Sequence, residues 1–190
     1  MTIEKPASKS AATILEEIEE LAEKNFLPII GPDKGKFLVE EIRKYKPRHV
    51  LEVGTLIGYS AIMMGKELDE NSEIVTIEIH FEEAEVAGEN IVKANIPAKV
   101  KIVTGDALQV IPTLKGLFDF AFIDAEKTEY IQYLRLMEDK LPKGAVVFAD
   151  NAGIFADQMR DYLDYVRNSG RYKSRYIQVG KDGVEISIKR

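Results

Sequence analysis

Apolar positions along the chain recur with two different periods. Behind Thr13 and Glu16, spaced as in a capping box, Ile14, Leu15, Ile18, Leu21 and Ala22 fall at helical intervals, so residues 1–28 read as an amphipathic helical segment with a solvated, Glu-rich face. After Pro28 and a break at Gly31-Pro32, Phe37, Leu38, Ile42 and Tyr45 form a second stripe that stops before Pro47. Short β-branched runs then alternate with helical stretches, at Val50 to Val53, Ile74 to Ile79, Val100 to Val103, Phe118 to Ile123 and Ala145 to Ala149. Such alternation predicts right-handed crossovers and a mostly parallel, doubly wound sheet covered by helices on both faces. A last helix through Phe155, Met159, Tyr162, Leu163 and Val166 precedes Tyr172 to Val179 and Val184 to Ile188, joined through Asp182-Gly183 as an antiparallel hairpin. The expectation is a seven-stranded α/β sheet of Rossmann-like type in one domain, 1–190.

Composition narrows the function classes. With 45% hydrophobic and 31% charged residues the chain is of ordinary globular type. No apolar run approaches the roughly 20 residues of a membrane span and the N-terminus has no signal-like stretch, so a cytoplasmic location is expected. Cysteine is absent, which removes thiolate catalysis and zinc-thiolate sites and leaves oxygen or histidine as metal ligands. A net charge of −6 argues against a broad phosphate-binding surface.

The candidate chemistry begins where the first strand ends, in Glu52-Val-Gly54-Thr-Leu-Ile-Gly58. In an open α/β sheet the ligand lies beyond the carboxyl ends of the strands. Gly54 and Gly58 let the backbone turn and come close to it. The G-x-x-x-G spacing is neither that of dinucleotide enzymes nor that of a Walker loop, so it suits a nucleoside without phosphates. Glu78, at the end of the second strand, can accept from both ribose hydroxyls, and these two features fit S-adenosylmethionine. Gly105-Asp106-Ala107 is a further loop on the same edge, with Asp106 alternatively a helix cap.

Taken in order, GPDKGKFL, VLEVGTLIGYSA, IVTIEIH, GDALQVIP, FDFAFIDAEKTEYIQYL and VVFADN make the sequence resemble class I S-adenosylmethionine-dependent methyltransferases, namely the small-molecule O-methyltransferases typified by catechol and caffeoyl-CoA O-methyltransferase. The resemblance implies a cofactor pocket drawn from Ile30, Gly31, Glu52, Gly54, Gly58, Tyr59, Ser60, Glu78, Ile79, Gly105, Asp106, Ala107, Asp124 and Ala125. It implies a divalent cation, of the Mg2+ type, on Asp124, Asp150 and Asn151, and Lys127 as the base beside Asp124. Three oxygen ligands with water and two acceptor oxygens would complete the octahedral shell that magnesium demands. Asn151 and Glu185, the latter within a motif like DGLE, would meet the acceptor, a hydroxyl-bearing small molecule. The alternative readings are capping residues at Asp124 and Asp150, a solvated Lys127, and an exposed hairpin position for Glu185.

The sequence also departs from that family. The stretch after Asn151 reads as nearly all helix, Trp is absent, and Glu126 stands beside Lys127 where catechol enzymes carry Trp. An open acceptor pocket is therefore expected, closed by a bulky phenolic acceptor, by a partner subunit of the homodimer common in the family, or by a macromolecule such as a hydroxylated tRNA base. For tRNA the candidate surface is Arg171, Tyr172, Lys173 and Arg175, whose alternative reading is an edge strand protected by charge. A non-catalytic nucleotide-binding module stays open, and a nicotinamide dehydrogenase is disfavoured by the glycine spacing. His49 and His80 are given no role.

Overall fold

The computed structural model describes residues 10–190; residues 1–9 of the N-terminal segment lie outside them. Helix α1 spans Ala11–Asn25 and starts earlier than the Thr13/Glu16 spacing suggests, because Ser10 is the cap and accepts the Thr13 N–H at 3.2 Å. Its Ile14, Leu15, Ile18 and Ala22 are buried, whereas Leu21 lies outside the stripe and is exposed. Helix α2, Gly31–Tyr45, begins at the expected break: Pro32 sits in the first turn, where a missing N–H costs nothing.

The remaining elements alternate as the pattern predicts: β1 (His49–Val53), α3 (Tyr59–Gly65), β2 (Glu73–Glu78), α4 (Phe81–Ala94), β3 (Lys99–Thr104), α5 (Ala107–Thr113), β4 (Phe120–Ile123), α6 (Tyr130–Met137), β5 (Val146–Ala149), α7 (Arg160–Asn168), β6 (Tyr172–Val179) and β7 (Asp182–Lys189). They build a seven-stranded sheet in the order β3-β2-β1-β4-β5-β7-β6. Its first five strands are parallel, and β7 runs antiparallel to both β5 and β6.

Strand alternation assigns two cores. Leu51, Val53, Val75, Ile77, Ala121, Ile123, Val147 and Ala149 pack with Ile111, Tyr130, Leu134, Tyr162 and Leu163 of α5, α6 and α7. Val50, Ile74, Phe120, Phe122, Val146 and Phe148 face the other way, onto Ile14, Ile18, Leu38, Ile42 and Ile62 of α1, α2 and α3. Every strand side chain in the middle of the sheet is thus covered, which is why the parallel strands read as continuous apolar runs.

Two sequence expectations need correction at the C-terminal end. Helix α7 starts at Arg160, not near Phe155; residues 152–159 form successive turns in which Asp182 Oδ1 accepts the N–H groups of Gly153 (3.2 Å) and Ile154 (3.0 Å). The apolar spacing of Phe155 and Met159 is helical, but these backbone bonds divert the chain. The hairpin turns at Gly180-Lys181, with Val179 paired to Asp182, so Asp182-Gly183 already belongs to β7. Gly183 is required there because a Cβ would overlap the Tyr176 hydroxyl and the Ile177 carbonyl. Finally, β6 is the sheet edge, but its aromatic Tyr172 is buried and donates to Glu138, while Arg171 pairs with Glu138 and Arg175 with Glu41. These pairs fit the reading of an edge strand protected by charge.

Candidate active site

From β1 the chain moves outward to β2 and β3 and then returns to place β4 on the other side of β1, so the strand order reverses between β1 and β4. The loops at the carboxyl ends of β1 to β4 converge there on a cavity of about 560 Å³, within the range of roughly 300–1,000 Å³ typical of small-molecule sites. Gly54, at φ +99°, closes the gap between β1 and β4: a Cβ on it would overlap the Asp124 carbonyl oxygen. Asp124 in turn donates its N–H to the Val53 carbonyl at 2.9 Å.

At the far wall, Glu78 ends β2 with Oε2 accepting the Leu56 N–H at 2.7 Å and Oε1 accepting the His80 N–H at 3.0 Å. These bonds clamp the glycine loop, in which Leu56 holds a left-handed φ of +47°. A carboxylate has about four acceptor sites, so both oxygens retain lone pairs for a ligand. Asp106 both caps α5, accepting the Leu108 N–H at 2.8 Å, and lines the cavity. Ile30, Tyr59, Ser60, Ile79, Gly105, Ala107 and Ala125 join it in the wall. So do residues the sequence reading passed over: Pro28, Ile29, His80, and the pair Glu129 and Tyr133, whose hydroxyl donates to Glu129 at 2.5 Å. Tyr59 is anchored from α1, donating to Glu19 at 2.5 Å.

Gly31, Glu52 and Gly58, expected in the wall, are not part of it; Gly31 is the first residue of α2. Alternation along β1 turns Glu52 toward α3, where it is fully buried and accepts from Ser60 Oγ and Thr76 Oγ1 at 2.5 Å each. Burial raises its carboxyl to about 7 against the lowering effect of those two bonds. Its influence reaches the cavity through Ser60, which does line it. Gly58, at φ +87°, starts α3 against the backbone of Ala87.

Beyond the cavity, sharing Asp124 with it, lies a cluster of carboxylates and lysines. Lys127 Nζ donates to Asp124 Oδ1 at 2.9 Å and to the Ala125 carbonyl at 2.8 Å. Asp150, at the end of β5, is buried; burial and the nearby Asp124 charge raise its carboxyl to about 7, opposed by Lys34. Lys34 Nζ donates to Asp150 Oδ2 and to Asp182 Oδ2, 2.8 Å each. Asn151, at φ +60°, donates its Nδ2 to Asp182 at 2.9 Å, which leaves the amide oxygen as its free end. Burial works against the Asp182 charge, but the bonds from Lys34, Ile154 and Asn151 outweigh it and hold the carboxyl down at about 2.

The cluster suits a hard cation in its donor set, two carboxylates and an amide oxygen. Asp150 Oδ1 also fits: it is buried and accepts no hydrogen bond, although Lys34 Nζ stands 2.7 Å away. The distance marks a charge contact without hydrogen-bond alignment, because the ammonium is aligned on Asp150 Oδ2 and Asp182 instead. Asp124, Asp150 and Asn151 are therefore the residues that could hold a divalent ion.

Glu185 does not join this group. It is fully buried in β7 with both oxygens bound by Arg167, at 3.1 and 2.7 Å, so neither the acceptor contact nor the exposed hairpin position is met. Asp182, three residues earlier, is the β7 carboxylate that reaches the cluster. Lys34 lies within the GPDKGKFL motif, but its partners are 116 and 148 residues away, a relation that only the fold reveals.

The sequence model of the O-methyltransferase family matches residues 5–168. The chain belongs to this family. Among relatives, catechol O-methyltransferase B of Danio rerio is 36% identical over 172 residues, 84% of this chain and 64% of the relative. Catechol O-methyltransferase of Mus musculus is 32% identical over 190 residues, 93% of this chain and 71% of the relative. The chain thus spans about two thirds of the length of these relatives. Among solved structures, the O-methyltransferase from Bacillus cereus in complex with SAH superposes with a TM-score of 0.83 at 28% identity, covering 94% of this chain and 91% of the other. TomG from Streptomyces achromogenes, an O-methyltransferase in complex with SAM, gives 0.84 at 26%, covering 93% and 89%. The Rossmann-like methyltransferase fold is shared along nearly the whole chain, and no helix among the described residues is long and apolar enough to cross a membrane.

Proposed function

We propose that this protein transfers a methyl group from S-adenosylmethionine to a hydroxyl oxygen of a small acceptor, a phenol or vicinal diol, seated beside Asp124, Asp150 and Asn151. The observation that carries this reading is that Asp124 belongs at once to the wall of the cavity and to the lysine-carboxylate cluster, so a ligand in the cavity and one at the cluster would meet at its side chain. Family membership and relatives solved with SAH and SAM support the choice of cofactor.

S-adenosylmethionine brings an electrophilic methyl group on a sulfonium centre. Glu78 would receive the ribose hydroxyls on lone pairs left by Leu56 and His80, and Pro28, Ile29 and Ile30 line the same cavity. Asp124, Asp150 and Asn151 would hold a divalent ion, whose Lewis acidity lowers the pKa of an acceptor hydroxyl. In this reading Lys127, after its ammonium has released a proton to solvent, would take the hydroxyl proton; its nitrogen is held beside the cluster by Asp124 and Ala125 and lies 5.4 Å from the Tyr130 ring centroid. The chain forms no covalent bond to the acceptor. Its contribution is alignment of the attacking oxygen and control of that one proton.

Mass-spectrometric detection of methyl transfer to a panel of catechols and aliphatic vicinal diols, with magnesium or with a chelator, tests this reading. A monomethylated product that disappears with chelator supports it; no product from any hydroxyl acceptor in either condition overturns it.

A further inference from the structure

Lys34 has no part in the proposed chemistry, yet its side chain, only 14% exposed, stands at the centre of the cluster. Its ammonium is within 2.8 Å of Asp150 and of Asp182, as Lys127 is within 2.9 Å of Asp124. All three carboxylates are thus compensated by charges the chain itself carries, and the cluster needs no ion from solution to be stable. Asp182 extends the arrangement by fixing Asn151, Gly153 and Ile154.

A divalent ion on Asp150 Oδ1 would sit about 2.0–2.1 Å from that oxygen. The Lys34 nitrogen is 2.7 Å from the same atom, so two cations would be brought within a few ångströms in a poorly solvated place. Repulsion at such range is large compared with the gain from one more shared carboxylate. Asp182 offers the ammonium a second partner onto which it can withdraw.

We propose that Lys34 is the resident counter-cation of the strand-end carboxylates and competes with a divalent ion for Asp150, metal loading requiring the ammonium to move off Asp150 onto Asp182. The inference rests on Asp124, Asp150 and Asn151 being a metal site. It gives Lys34 a role in tuning, and weakening, metal affinity, whereas a merely structural lysine would leave that affinity unchanged or reduce it when removed.

The test is the affinity for manganese, read by the electron paramagnetic resonance of free ion, in the unaltered protein, Lys34→Met and Lys34→Arg. Lys34→Met is expected to bind manganese at least about tenfold more tightly, and Lys34→Arg, which keeps the charge, to stay within about threefold of the original. Should Lys34→Met not fold without metal, Lys34→Gln takes its place, with the same direction expected. Equal or weaker manganese binding in the neutral variants overturns the competition while leaving the metal site standing. Absence of manganese binding in every variant overturns both, and the two failures are thereby told apart.

Discussion

Gly54 and Asp124 touch so closely that no side chain fits on Gly54: its Cβ would occupy the space of the Asp124 carbonyl oxygen. This contact joins the turn that opens the cavity to the strand end that carries the proposed chemistry. Gly54→Ala should therefore separate the two loops, lowering stability by at least about 2 kcal/mol through backbone strain at positive φ and overlap, and weakening cofactor binding with it. Thermal unfolding and cofactor titration on the same preparation check this.

Lys127→Met should leave cofactor affinity within a few fold while lowering kcat by about 10²–10⁴, the usual contribution of a positioned general base. An unchanged kcat would show that Lys127 only anchors Asp124.

Glu52 gives a stability prediction with a definite sign. Its carboxyl lies at about 7 in the folded chain, against an ordinary 4.5. The native state then holds a proton the unfolded chain has released between these values. The stabilisation is present below about pH 4.5 and lost as pH rises through 7, by up to about 3 kcal/mol. Glu52→Gln should flatten denaturant-measured stability across that window, and an unaltered slope would mean that Glu52 is not its source.

Most of the sheet was legible because a strand buried on both faces has little choice but to be apolar and β-branched. The cavity wall was legible where loop residues must sit at strand ends. What escaped depends on contacts between distant parts of the chain. The Phe155–Met159 spacing reads as helix, and nothing local announces that Asp182 will capture the N–H groups of Gly153 and Ile154. Glu52 was expected at the ligand from the family resemblance, yet strand alternation turns it to Ser60 and Thr76. Glu185 and Asp182 lie elsewhere than expected for a similar reason: Arg167 from α7 binds the first, and Lys34 from α2 the second.

Arg167→Ala tests the placement of Glu185. With Glu185 fully buried and its bidentate partner gone, an uncompensated charge remains, and stability should fall by about 3–5 kcal/mol. Acceptor KM should change little in protein that remains folded. A selective rise in KM at unchanged stability would return Glu185 to the acceptor site.

Calorimetric titration of S-adenosylmethionine and its demethylated product into the protein and into Glu78→Ala tests the central claim most directly. The account predicts micromolar binding of both ligands to the unaltered chain and at least about a tenfold loss, roughly 1.4 kcal/mol, in the variant, which lacks both the ribose acceptor and the clamp on Leu56. Absence of binding to the unaltered chain, or equal binding to the variant, would contradict it.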